Sequence, residues 1–264
     1  MNQADAIELI EKGQENPDRL ADDEIWKLAD LLSHTDNQIV LSAAIVLAVV
    51  GKENLHQLTP YLDTIKSHFN TLPPTEEYDR DEAQIPMMAI LQIYSDDNPA
   101  KIKDMIPDLL AILRTGEKST INAAFYSLSN LAEEFPEETK IATDYAVDYL
   151  THPHTPIRVN VLSMLSQIAD ENPTQIKPHC QEIQKLLTDD DSAVRNNTVY
   201  VLGKCNVNAV TEQLERLAES DPDSSVQHAA KWALQEINTT GQTTIKEPQP
   251  ETPSPNANTK IYRD

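Results

Sequence analysis

The stretch Asp191-Ser192-Ala193-Val194-Arg195-Asn196-Asn197-Thr198-Val199-Tyr200-Val201-Leu202-Gly203-Lys204-Cys205 carries apolar or small, buried-type side chains at Val194, Thr198, Leu202 and Cys205. Offsets of 0, 4, 8 and 11 from Val194 trace one stripe of an α-helix. Asp191, three residues ahead of the first anchor, stands where an N-cap belongs, because its carboxylate accepts from the free N–H groups of the first turn. The same template recurs at Ile39, Ala83, Thr120, Ile157 and Val226, each followed eight positions on by Leu47, Leu91, Leu128, Leu165 and Leu234. The starts are separated by 44, 37, 37, 37 and 32 residues, so the chain is an array of one supersecondary unit.

Each such helix, here called A, is followed by a short polar break and a second apolar helix, B. Ile102, Ile106, Leu109 and Leu113 form one B stripe, and Ile176, Cys180, Ile183 and Leu187 another. Pro99, Pro136 and Pro173 mark the B starts, where a missing N–H costs nothing. Asp36 and Asp223 repeat the cap of Asp191.

Segments such as Asp191-Ser192-Ala193-Val194-Arg195 continuing to Leu202-Gly203, His154-Thr155-Pro156-Ile157-Arg158 continuing to Leu165, and Asp223-Ser224-Ser225-Val226 continuing to Leu234 resemble the HEAT-repeat family. That resemblance implies an all-α, right-handed α-α superhelix of about 13 helices, and a scaffold or adaptor that binds a protein or peptide partner along its concave surface. Ankyrin and tetratricopeptide repeats are disfavoured by period and by missing signatures.

Around the array, residues 1–33 form an N-terminal capping pair with Ile7, Leu9, Ile10, Ile25, Trp26, Leu28 and Leu31 apolar; residues 34–238 form the solenoid. The 44-residue interval is read as an insertion loop over 66–81, and residues 239–264, with Gln249-Pro250-Glu251-Thr252-Pro253-Ser254-Pro255, as a disordered tail.

The composition constrains function. With 21 Lys+Arg against 43 Asp+Glu over 264 residues the formal charge is −22, which repels phosphate backbones and disfavours nucleic acid as a ligand. Only 5 glycines argue against a glycine-rich nucleotide fold. Cys180 and Cys205 fall on core positions, as buried free thiols of a cytoplasmic protein do. The N-terminus lacks the pattern of a secretory leader, and the longest apolar run, Ala43 to Val50, is too short to span a membrane.

Catalytic constellations are missing. No histidine precedes a glutamate, which excludes the iron site of HEAT-like deoxyhypusine hydroxylases; His152-Pro153-His154 supplies two ligands where a metal site needs a third. No phosphate-binding loop, nucleophile elbow or zincin motif is present. Cofactors, metals and catalytic residues are therefore read as none. A DNA glycosylase of this fold would need a basic groove; a phycobilin lyase-type accessory is the alternative function. Arg158 and Arg195, 37 residues apart, are read as pairing with acids of neighbouring repeats.

Resemblance to HEAT solenoids puts the B helices on the concave side. Residues half a turn from the B core stripe then line the groove: Asp104 and Asp108, then Ile141, Tyr145 and Asp148, then Glu182 and Lys185. Tyr145 is the expected anchor, and Tyr78 in the insertion is a second contact.

Overall fold

A computed structural model describes residues 1–71, 80–115 and 118–243. Three acidic caps start helices as expected: Asp36 Oδ1 accepts from Gln38 N at 2.9 Å, Asp191 Oδ1 from Ala193 N at 2.9 Å, and Asp223 Oδ1 from Ser225 N at 2.8 Å. The described residues form thirteen helical segments and no strand.

Seven segments are continuous α-helices: α1 (Gln3–Glu15), α3 (Asn37–Glu53), α5 (Arg80–Asp97), α7 (Lys118–Glu134), α9 (Thr155–Glu171), α11 (Ser192–Lys204) and α13 (Ser224–Thr243). Those from α3 onward are the A helices. Between them lie composite segments in which α-helical turns alternate with 3-10 turns: α2 (22–33), α4 (55–67), α6 (99–115), α8 (136–149), α10 (173–188) and α12 (208–220). Proline explains part of the difference. Pro99, Pro136 and Pro173 occupy the first turns of α6, α8 and α10, whereas Pro60 and Pro178 fall inside 3-10 turns, where a helix loses a donor. At the far end of α11, Asn206 adopts a φ of 58°, the left-handed conformation that closes a helix.

Each continuous helix from α3 to α13 packs along its length on the next one, while composite helices touch one another at few points. Side-chain reach agrees. Ser129 Oγ donates to Ser163 Oγ at 2.8 Å and Asn160 Nδ2 to Asn122 Oδ1 at 3.2 Å, so very short side chains bridge α7 and α9. Between composite helices a long side chain is used, as where Lys66 Nζ meets Asp104 at 2.7 Å and Lys103 Nζ meets Glu138 at 2.5 Å. Gly203 allows a comparable approach of α11 to α13, since a Cβ there would lie 2.8 Å from Ala233 Cβ and 3.1 Å from its Cα. The array is drawn together on the side of its continuous helices.

The core is one contiguous body running the length of the array, with Tyr94, Phe69 and Phe125 among its largest fully buried side chains. Two expected boundaries move. The insertion is shorter than 66–81: Lys66 and Ser67 belong to α4, Phe69 is buried, and Arg80 and Asp81 already belong to α5. The reason is that Ile65 and Phe69 continue the apolar stripe of α4. At the other end α13 extends to Thr243, and residues 244–264 of the expected tail lie outside the described residues. Within the N-terminal pair Ile7 and Trp26 are exposed, not packed.

The arginine ladder forms between neighbouring repeats. Arg158 grips Asp189 with Nε at 3.0 Å and Nη2 at 2.8 Å, and Arg195 grips Asp221 at 2.9 and 2.8 Å. Their remaining Nη1 groups donate to the carbonyls of His152 and Asp189 at 2.9 Å, tying each turn to the helix that follows it.

Candidate functional site

Side chains that the neighbours of a continuous helix do not cover lie on one free face of the array, arranged as three rungs a helical turn apart. The first rung holds Ile85 on α5, Asn122 on α7, Asn160 on α9 and Asn197 on α11. Asn160 Nδ2 reaches Asn122, and Asn197 Nδ2 donates to the Val159 carbonyl at 3.3 Å, which orients the row of amides along the array. The second rung holds Ile45, Tyr126, Ser163, Tyr200 and Trp232, with the Tyr200 and Trp232 rings 5.0 Å apart. The third holds Val49, Asn130, Gln167 and Lys204; Asn130 Nδ2 donates to Asp96 at 2.6 Å and Lys204 Nζ to Asp170 at 2.6 Å.

Val49, Ile85 and Tyr200 are among the exposed large apolar residues of the molecule, at 37%, 43% and 36%. Tyr126 is half-buried, its hydroxyl donating to Asp96 Oδ1 at 2.8 Å, which pushes the phenol up from its ordinary value. Apolar rims with amide and hydroxyl groups between them suit a polypeptide, whose backbone needs hydrogen bonds and whose side chains need apolar cover.

The stripe expected from the sequence lies on the composite helices. Asp104, Ile141, Asp148, Glu182 and Lys185 are exposed and Asp108 half-buried. The two aspartates already have partners, Asp104 in Lys66 and Asp108 in Asn70. Tyr145 is half-buried and packs against the core, as Ile45 and Trp232 do; the buried positions of its segment, Thr139, Thr143, Ala146 and Leu150, keep the spacing of Ile102, Ile106, Leu109 and Leu113 through the turn at Lys140–Ala142. Tyr78 lies outside the described residues. The amide row went unread because the resemblance directed attention to the B helices, although Asn160 and Asn197 recur 37 residues apart at positions off the apolar stripe.

Other candidates resolve structurally. Cys180 and Cys205 are buried and free, their thiols donating to the carbonyls of Ile176 and Pro173 at 3.7 and 3.8 Å. Contact with Cys180 and burial push the Cys205 thiol far up. His152 Nδ1 accepts from His154 N at 3.1 Å within the turn. Among the described residues no three His, Cys, Asp or Glu side chains come together to hold a metal, and no helix is long and apolar enough to cross a membrane.

Residues 6–202 match the family model of the adaptin N-terminal region. The chain belongs to that family. Residues 156–258 also match the model of the non-SMC mitotic condensation complex subunit 1. No curated protein sequence matches. Among solved structures, an engineered protein superposes with a TM-score of 0.69 at 23% identity, covering 82% of this chain and 97% of that one. A computationally designed armadillo repeat protein for modular peptide recognition superposes with a TM-score of 0.67 at 20% identity, covering 80% and 99%. Another designed armadillo repeat protein, in complex with peptide (KR)4, gives 0.64 at 19%, covering 80% and 98%. At these identities the likeness establishes the HEAT and armadillo type of solenoid, the fold of this adaptin-family chain.

Proposed function

We propose that the chain is a non-catalytic scaffold that holds a protein or peptide partner against the free face of its continuous helices. The observation that carries this reading is the row of unburied apolar, aromatic and amide side chains crossing consecutive helices, from Val49 and Ile85 through Asn122, Asn160 and Asn197 to Tyr200. Side chains that served only packing would be covered, and side chains that served only solubility would be charged. Tight packing of the continuous helices against one another supports reading this face as the inside of the curve, where a solenoid offers most contact per residue of ligand. Two solved neighbours of the same fold are peptide binders by their own descriptions. Two buried free thiols fit a reducing compartment, the cytoplasm.

Photo-crosslinking amino acids placed at Tyr126, Tyr200 and Ile141 in the native host test the reading, with adducts identified by mass spectrometry. A recurrent polypeptide joined through positions 126 and 200 is the expected result. A second reading puts the partner on the composite-helix stripe of Asp104, Asp108, Ile141, Tyr145, Asp148, Glu182 and Lys185, favoured by Ile141 at 51% exposed. Adducts from position 141 alone would select it. A co-purifying chromophore, with no polypeptide adduct at any position, would instead move the chain to the phycobilin lyase type of accessory.

A further inference from the structure

Three consecutive continuous helices end against the usual electrostatic preference, whereas α1, α3 and α11 follow it with Lys12, Lys52 and Lys204 in their last turns. A helix C-terminus carries a partial negative charge and favours lysine or arginine in its last turn. Here α5 ends on Asp96-Asp97, α7 on Glu133-Glu134 and α9 on Asp170-Glu171, spaced 37 residues apart, and none of the three has a basic residue in its last turn. Six carboxylates thus form a margin beside the third rung of the free face. Asp170 is the one with a cation, Lys204; Asp97, Glu133, Glu134 and Glu171 have none among the described residues. Between the ends of α5 and α7 the margin opens into a hollow of about 300 Å³ lined by Ser95, Asp96, Asp97, Asn130, Glu133 and Glu134, with no lysine or arginine in its wall. Tyr126 and Asn130 both donate to Asp96, so the free face and the margin share one hydrogen-bond network.

We infer that the occupant of the free face is a cationic polypeptide segment, its apolar and backbone groups on the amide and aromatic rungs and its lysines and arginines on the carboxylate margin. The inference rests on the scaffold reading above and names the chemical class of its ligand. Charge complementarity is the argument for the occupant. Repeated uncompensated carboxylates at helix ends raise the energy of the free protein, and an external cation relieves both their mutual repulsion and the helix dipoles. A chain of formal charge −22 also attracts such a segment over a distance. The apolar rungs add what a purely electrostatic attraction lacks, a fixed register. An anionic or neutral segment gains nothing from the margin.

The test uses the full chain and the fluorescein-labelled octapeptide (KR)4, titrated by anisotropy at about 150 mM salt, where screening acts beyond about 8 Å. Wild type is compared with a margin variant, D96N/D97N/E133Q/E134Q, and with a control of the same charge change at exposed positions of the composite helices that belong to neither candidate face, D22N/D144N/E215Q/E219Q. The margin variant should bind about tenfold or more weakly, and the control within about twofold of wild type. Equal weakening in both would reveal non-specific attraction and overturn the inference, as would absence of saturable binding by wild type. Should the quadruple variant not fold, the single E134K, at an exposed position, gives the same reading. Failure here leaves the crosslinks at 126 and 200 to decide separately whether the face is used at all.

Discussion

Arg195 and Asp221 meet as a two-pronged ion pair, 8% and 5% exposed, joining the start of α11 to the turn that precedes α13. The guanidinium holds the Asp221 carboxyl below its ordinary range, and the carboxylate in turn raises the arginine. Removing one partner strands the other charge out of water. Asp221→Ala is therefore expected to destabilise the chain by about 3–5 kcal/mol. Lys204→Ala, which breaks the more exposed pair with Asp170, should cost about 1 kcal/mol or less. Urea unfolding of the two variants checks the order, and equal costs would contradict it.

Acid should act on the same turn. The Asp223 carboxylate accepts from the Ser225 hydroxyl and backbone N–H, and these bonds hold it at about 2, below the value of about 3.9 for an unfolded aspartate. A depressed folded value contributes stability that is present above the unfolded value and lost as pH falls through the folded one. The stability difference between wild type and Asp223→Asn should hold from pH 7 to about 5 and vanish near pH 2. Thermal unfolding across that range measures it. A difference that grows on acidification would be the opposite result.

Gly203 sets the distance between α11 and α13. Alanine there gains helix propensity, yet its Cβ would press on Ala233, backbone included, and overpacking of this kind costs about 1–3 kcal/mol. Gly203→Ala should lower the urea midpoint. An unchanged or higher midpoint would mean that α13 yields without loss.

Phe69 decides where the first repeat ends. It is 1% exposed, so Phe69→Ala should cost about 3–5 kcal/mol, the range of a large-to-small core change. A cost below about 0.5 kcal/mol would return this segment to the surface.

The repeat itself was legible because Val194, Thr198, Leu202 and Cys205 obey a single helical period, and because Asp36, Asp191 and Asp223 cap as isolated aspartates do. Arg158 and Arg195 were readable too, since a 37-residue recurrence next to a capped turn leaves an acid of the next repeat as the partner. What the sequence did not yield was orientation. Which helices draw together depends on the shortness of Ser129, Ser163, Asn122 and Asn160 across the array, a property of pairs brought side by side by folding. Tyr145 shows the same thing: helical phase put it off the buried stripe of Thr139, Thr143, Ala146 and Leu150, but how far its ring folds back onto the core depends on neighbours that only folding supplies. Phe69 lay beyond a boundary drawn from composition, though its spacing from Ile65 was one helical turn.

The bridges of the ladder each join a repeat to its immediate successor, as with Lys66 to Asp104, Asn160 to Asn122 and Arg195 to Asp221. Such wiring makes the molecule mechanically a chain of springs in series. A pull on its ends is carried through every junction in turn, so the array stretches by small openings shared among many interfaces before any one hairpin is lost. A ligand lying across several helices would stiffen all the junctions it spans at once, and the length of the bound segment would be readable as the number of junctions that no longer give.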